Sequence, residues 1–108
     1  MRTETGLKLL ALGVCAALSG TVLAAGDVEA GRAKAFTCMG CHGVPGYTNA
    51  YPTYRVPKLG GQHAQYTVAA LTAYKNGQRS HTTMRAQADN LSEQDMEDIA
   101  AYFESRGE

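Results

Sequence analysis

The residues of this chain best suited to chemistry are two thiols and an imidazole within five consecutive positions. Cys38 and Cys41 are separated by two residues, and His42 directly follows the second cysteine. This C-x-x-C-H pattern is typical of covalent attachment of c-type haem. The two thiols can add to the two vinyl groups at one porphyrin edge, and the adjacent histidine is then held beneath the iron. We therefore predict that Cys38 and Cys41 anchor one haem and that His42 binds its iron.

Other interpretations of the cysteines stay open at this point. C-x-x-C alone also suits a dithiol redox pair, or a chance match in a short sequence. A structural zinc site needs four protein ligands and hence a second well-spaced pair, which the sequence lacks. The histidine that immediately follows Cys41 favours haem over each of these alternatives.

The N-terminal segment is typical of a secretory signal peptide. Arg2 and Lys8 precede an apolar run from Leu9 to Ala25 that is relieved only by Gly, Ser and Thr, with small residues suited to cleavage after Ala24 or Ala25. A retained membrane anchor is the alternative, but the run is short and rich in small residues. We expect residues 1–25 to be removed during export, leaving residues 26–108 as a single periplasmic domain without stable membrane insertion.

The charge balance excludes one broad class of function. The chain carries 10 Lys and Arg against 10 Asp and Glu, so it has none of the basic excess that marks a nucleic-acid-binding protein. It also has no Trp and only two Phe. A domain this small with so few large apolar side chains is near the limit of what a hydrophobic core can stabilise, so we expect a buried porphyrin to complete the core.

The elements that must position these residues are predicted to be helices, and strand patterns are weak. A first helix should begin at the N-cap Asp27 and run through Phe36, which delivers the chain to Cys38. A second helix is predicted from about Gln62 to Lys75, where Asn76-Gly77 would end it.

The last helix has the clearest pattern. Ser92 and Asp95 predict a capping box, and the apolar residues after it recur at helical spacing: Met96, Ile99, Ala100 and Phe103. This stripe must be buried against another element. We expect the partner to be the first helix, where Gly31 would allow close approach and Phe36 would fill the contact.

Two polar stretches, Gly43 to Gly61 and Gly77 to Leu91, are predicted to be long loops that serve a site. Met84 lies in the second, and its thioether is predicted to bind the iron opposite His42. Such Met/His ligation raises the reduction potential of a haem. His63 and His81 are the rival ligands, and either would give a bis-histidine site of lower potential.

Five segments in this order carry a resemblance that covers residues 26–108. They are Cys38-Met39-Gly40-Cys41-His42-Gly43, Pro57-Lys58-Leu59-Gly60-Gly61-Gln62-His63, Tyr74-Lys75-Asn76-Gly77-Gln78-Arg79, Met84, and Leu91-Ser92 through Ala101-Tyr102-Phe103. Together they resemble a class I cytochrome c of the small periplasmic bacterial kind related to cytochromes c4 and c5. The resemblance implies an all-α cytochrome c fold, with three to five helices around one covalently bound haem and with the N- and C-terminal helices crossing. A single C-x-x-C-H motif, where c4 cytochromes hold two haem domains, implies a mono-haem protein.

The same resemblance implies supporting roles for three more residues. The Pro57 carbonyl would accept a hydrogen bond from His42, since a metal-bound histidine nearly always has such a partner. Gln62 and Arg79 are expected to contact the haem propionates.

The function expected from these features is transfer of single electrons, without catalysis. An iron with two protein ligands has no open position for a substrate. The expected redox partners are a membrane cytochrome complex, a terminal oxidase or a periplasmic dehydrogenase. Alternatives are the haem subunit of a periplasmic oxidoreductase such as a flavocytochrome, a gas-binding haem protein if Met84 does not bind the iron, and a non-haem thiol or metal-binding module.

Overall fold

The computed structural model describes residues 25–107, and this part of the chain is mostly helical. The elements in chain order are α1 (Val28–Lys34), α2 (Phe36–His42), β1 (Thr48–Ala50), β2 (Thr53–Arg55), α3 (Ala64–Asn76), α4 (Thr82–Ala88) and α5 (Glu93–Ser105). The helical fold class predicted from the sequence is thus confirmed, with a small hairpin added. Residues 1–24 of the predicted signal peptide lie outside the described residues. Within 25–107, no helix is long and apolar enough to cross a membrane.

The predicted first helix is divided in two at Ala35. Asp27 caps α1 as expected, because its side chain accepts a hydrogen bond of 2.8 Å from the Ala30 backbone N–H. The helical path breaks at Ala35, which is completely buried, and α2 then begins at Phe36. Phe36 is 81 % exposed, so the prediction that it fills the contact with the last helix is wrong. The break turns Phe36 toward solvent, and the small Ala35 side chain is buried in the core instead.

The crossing of α1 and α5 depends on a glycine. Gly31 is buried, and a Cβ atom at this position would lie 1.9 Å from the carbonyl oxygen of Asp98. Only a residue without a side chain allows the two backbones to approach this closely. The predicted close approach at Gly31 and the crossing of the terminal helices are therefore confirmed.

Helix α5 is the centre of the hydrophobic core. Its capping box is present, with the Ser92 hydroxyl accepting from the Asp95 backbone at 3.1 Å and the Asp95 carboxylate accepting from the Ser92 backbone at 2.9 Å. Its predicted apolar stripe is buried, and the helix packs against α1 and α3. The buried core cluster consists of Ala35, Leu71, Ala88, Met96, Ile99, Tyr102 and Phe103.

The two predicted loops contain regular elements that the sequence did not reveal. In the first, β1 and β2 form an antiparallel hairpin in which Asn49 pairs with Tyr54. In the second, residues 82–88 form α4. Neither element shows hydrophobic periodicity, because the strands are three residues long and α4 contains a single large apolar residue, Met84.

Candidate functional site

The C-x-x-C-H residues lie on α2, where the helix presents both thiols on one side. Cys38 and Cys41 are three positions apart, a spacing that places their side chains on the same helical face. Both are half-buried and free of disulfide bonds. Cys38 packs against the core, and burial raises the pKa of its thiol. This apolar setting suits the uncharged thioether that haem attachment would leave.

The His42 ring is fixed by a hydrogen bond to the segment that follows the hairpin. Its Nδ1 lies 2.7 Å from the carbonyl oxygen of Pro57. Because a carbonyl can only accept, Nδ1 must carry the proton, and Nε2 of the neutral ring then has a free lone pair. His42 is therefore in the tautomer that can bind a metal through Nε2, and the contact with Pro57 expected from the resemblance is present.

A cavity of ≈ 370 Å³ adjoins His42. Its wall combines apolar side chains with the backbone of the Gly43–Gly46 turn, and it includes Val44, Val56 and Phe103 together with the cations Lys58 and Arg106. Met84 is not part of this wall.

Met84 lies on α4, so the prediction that it occupies a loop is wrong. Its side chain is half-buried and packs against the same core cluster as Cys38 and Leu59. Its backbone N–H donates a hydrogen bond of 3.3 Å to Nδ1 of His81, the N-cap residue of α4. A helix thus places the thioether, and a side-chain cap holds the backbone that carries it.

The tautomer of His81 argues against this residue as the iron ligand. Its Nδ1 accepts the hydrogen bond from Met84, so in the neutral ring the proton is on Nε2 and neither nitrogen has a free lone pair. The ring stands edge-on to Tyr54, at a centroid distance of 4.7 Å, and to Tyr74, at 6.2 Å. The other rival, His63, is exposed at the N-cap of α3.

Gln62 and Arg79 have protein partners of their own in this structure. The Gln62 side chain accepts a hydrogen bond of 2.9 Å from the His63 backbone N–H. The Arg79 guanidinium lies 4.6 Å from the centre of the Tyr74 ring, in a cation–π contact. Their expected contacts with haem propionates stay predictions.

One contact near Met84 is not predicted by any pattern in the sequence. The Tyr54 hydroxyl donates a hydrogen bond of 3.1 Å to Oγ1 of Thr83, which joins the hairpin to α4 across 29 positions of sequence. No local pattern could have revealed it, because neither the hairpin nor α4 was predicted.

The residues present fit haem c. They supply two thiols on one helical face, an imidazole in the metal-binding tautomer and a half-buried thioether. In addition, the hydroxyl of Thr67 on α3 is buried without a hydrogen-bond partner among the described residues. Buried hydroxyls normally have a hydrogen-bond partner, and either a bound group or an ordered water would supply one for Thr67.

Comparison with known proteins agrees with this chemistry. The family model "Cytochrome c" matches residues 28–106. The chain is 44 % identical to cytochrome c4 of Pseudomonas aeruginosa, over 91 % of this chain and 45 % of the relative. It is also 44 % identical to cytochrome c-554(548) of Halomonas halodenitrificans, over 76 % of this chain and 99 % of the relative. The cytochrome subunit of sulfide dehydrogenase from Chlorobaculum tepidum is 32 % identical over 68 % of this chain and 63 % of that subunit.

The fold is also similar to solved structures of the same kind. Cytochrome c4 of Acidithiobacillus ferrooxidans superposes with a TM-score of 0.56 at 34 % identity, covering 74 % of this chain and 51 % of the other. The chain thus spans about half the length of the cytochromes c4 that it matches. It belongs to the cytochrome c family, as a class I cytochrome c that is related to cytochromes c4 and carries covalently bound haem c.

Proposed function

We propose that this protein is a periplasmic mono-haem cytochrome that carries single electrons through an iron bound by His42 and Met84. The observation that carries the proposal is the 2.7 Å hydrogen bond from His42 to Pro57, because it leaves Nε2 of His42 free for the metal. Bound haem supplies a one-electron change between ferrous and ferric iron. His42 and Met84 would both bind the iron, and an iron with two protein ligands would have no position open to a substrate, which favours a carrier over an enzyme.

The chain's residues divide the work of holding and tuning the cofactor. Cys38 and Cys41 hold one porphyrin edge, and the Pro57 carbonyl fixes the His42 ring and makes it a stronger base. The Met84 thioether is a soft ligand that favours ferrous iron and so raises the reduction potential. A single haem is supported by the single C-x-x-C-H motif and by a relative that this chain covers almost completely.

The ligand assignment is tested by redox titration of the purified holoprotein, followed through its visible spectrum. We expect Met84→Leu to abolish the long-wavelength absorption band of a ferric Fe–S(Met) bond and to lower the reduction potential, because the thioether ligand is lost. Met96→Leu is the matched control, since Met96 is 3 % exposed within the α5 core and should leave band and potential unchanged. An unaltered spectrum in Met84→Leu would refute the assignment. Rapid binding of CO to the ferrous wild type would indicate an open iron position and would also count against it.

The proposed export and haem loading are tested by mass. Protein purified from the periplasm of an expression host that attaches haem c should lack the first 24 or 25 residues and carry the mass of one haem. A full-length protein in the membrane fraction would refute removal of the leader.

A second function is favoured by one comparison. The similarity to the cytochrome subunit of a sulfide dehydrogenase raises the alternative that this chain is the haem subunit of a periplasmic oxidoreductase such as a flavocytochrome. A free carrier should dock on a membrane cytochrome complex, a terminal oxidase or a periplasmic dehydrogenase through small, short-lived interfaces. Gel filtration of native periplasmic extract therefore separates the two functions. A free carrier elutes as a small haem protein, whereas a subunit elutes together with flavin absorbance.

A further inference from the structure

We propose that Tyr54, His81 and Thr83 position Met84 for binding to the iron. We call these three residues the hairpin–α4 junction. The inference rests on the proposed ligation by Met84 and adds the residues that determine where its thioether is held. Their contacts join β2 of the hairpin to the N-cap and first turn of α4, just before Met84 in sequence.

The first step is the cap of α4. His81 has an extended backbone, with φ −161° and ψ 109°, and its Nδ1 accepts the hydrogen bond from the N–H of Met84. Met84 is the third residue of a seven-residue helix. So short a helix is unstable without outside support, because few of its backbone groups are paired within it. The cap therefore fixes the backbone of Met84 itself.

The second step is the support of the cap by the hairpin. The ring of Tyr54 packs edge-on against the His81 ring at 4.7 Å, and its hydroxyl donates to Thr83 at 3.1 Å. One tyrosine therefore contacts both the residue that caps Met84 and the residue that directly precedes it. Tyr74 of α3 packs on His81 as well, at a centroid distance of 6.2 Å.

The junction residues contribute more to the position of Met84 than to the stability of the fold. The junction residues lie outside the buried core cluster, and Thr83 is exposed whereas Tyr54 and His81 are half-buried. Their loss should therefore have a small effect on unfolding. It should have a larger effect on Met84, because a thioether on a loosely held backbone yields more easily to a competing ligand of the iron.

Competition by imidazole for the iron of the ferric holoprotein tests this inference. His81→Phe keeps the ring and removes the acceptor, and we expect imidazole to bind about five- to tenfold more tightly than in the wild type. His81→Asn supplies a preferred N-cap acceptor without the ring, and should return the affinity to within about twofold of wild type. Tyr54→Phe removes only the hydroxyl, and we expect an effect of about threefold.

The control is Tyr66→Phe, which removes a hydroxyl from a tyrosine that is 56 % exposed on α3. It should leave imidazole affinity unchanged. The reduction potential is the second measurement, and should fall most in His81→Phe, less in Tyr54→Phe and not at all in Tyr66→Phe. Thermal unfolding of each variant is recorded beside these values, because a merely structural role would move the unfolding midpoint alone.

The outcomes distinguish this inference from the function on which it rests. If the wild type shows the Fe–S(Met) band but His81→Phe and Tyr54→Phe bind imidazole as Tyr66→Phe does, the junction does not position Met84, and Met84 remains the ligand. A lower unfolding midpoint with unaltered imidazole affinity and potential overturns the inference in the same way. If the wild type lacks the band and Met84→Leu leaves the spectrum unchanged, both the ligation and the positioning role are refuted.

Discussion

The α1–α5 crossing and the hairpin–α4 junction hold two parts of the molecule by different means. At the crossing, backbone meets backbone at Gly31, and an ion cluster of Lys34, Asp95 and Asp98 lies beside it. At the junction, the contacts are made by side chains: a hydroxyl–hydroxyl hydrogen bond, a side-chain cap on a backbone N–H and an edge-on contact between two rings. A contact between backbones has no freedom to adjust, whereas side-chain tips can shift slightly. The crossing therefore determines whether the chain folds, and the junction can alter the proposed ligand Met84 in a chain that stays folded.

The strongest way to break the crossing is to add one methyl group at its centre. Gly31→Ala would place a Cβ atom 1.9 Å from the Asp98 carbonyl oxygen and 2.9 Å from the Cβ of Tyr102, so the helices must separate. We expect a loss of about 3 kcal/mol or more in the free energy of unfolding, the upper range for overpacking a core. Denaturant titration of the holoprotein measures this change.

Gly40→Ala is the matched control for that variant. Gly40 also lies within a helix, but a Cβ added there meets no atom within 4 Å beyond its chain neighbours and its own helical backbone. We expect this variant to be as stable as the wild type or about 1 kcal/mol more stable, because alanine is the better helix former. If the free energy of unfolding changed by the same amount in Gly31→Ala and Gly40→Ala, the added methyl group at the crossing would have no cost of its own.

The ion cluster beside the crossing should make stability depend on pH at both extremes. Lys34 Nζ lies 2.8 Å from Asp95 and 2.6 Å from Asp98. The Lys34 ammonium lowers the pKa of Asp95 to about 2, and hydrogen bonds from the Asp27 backbone, Lys34 and Gln94 lower the pKa of Asp98 to about 2. The two carboxylates raise the pKa of Lys34 above 10.5.

The direction of the effect follows from linkage between protonation and folding. A carboxylate whose pKa is lowered on folding stabilises the protein above its unfolded value of 3.8, and this stabilisation is lost as the pH falls toward about 2. A lysine whose pKa is raised stabilises below 10.5 and loses this effect at higher pH. We therefore expect the free energy of unfolding to decline below pH 3.8 and again above pH 10.5.

Removal of the shared cation sharpens this expectation. In Lys34→Met, the decline of the free energy of unfolding at acid pH (the acid limb) should become smaller but should not vanish. Asp98 keeps its hydrogen bonds to the Asp27 backbone and to Gln94. The same variant should abolish the cluster's contribution to the decline at alkaline pH (the alkaline limb), because that contribution comes from Lys34. Glu29→Gln, which removes the exposed pair with Arg32, is the control and should leave both limbs in place. Identical pH profiles for Lys34→Met and the wild type would show that the ion pairs of Lys34 with Asp95 and Asp98 contribute nothing to stability.

The difference between the α1–α5 crossing and the hairpin–α4 junction also explains which features could be predicted from the sequence. The Cys38–His42 motif is contiguous and the α5 stripe is periodic, so local pattern was enough to predict the attachment residues and to find the capping box and the helix crossing. The contact between His42 and Pro57 came from resemblance, because it joins positions 15 apart in sequence. The hairpin–α4 junction was out of reach. Its elements are short and without periodicity, and histidine is not among the preferred N-cap residues.

Phe36 is a position where the sequence pattern gave a wrong prediction. It was expected in the contact between the first and last helices, and the structure does not place it there. The helix breaks at Ala35, where neither proline nor glycine marks a boundary, and Phe36 is 81 % exposed beyond the break. We expect Phe36→Ser to change the free energy of unfolding by no more than about 0.5 kcal/mol, as at other exposed positions. Denaturant titration beside Phe103→Ala, which empties a 2 % exposed position and should lose about 3 kcal/mol or more, gives the scale. A loss in Phe36→Ser close to that of Phe103→Ala would place Phe36 in the core and show that the crossing extends past Ala35.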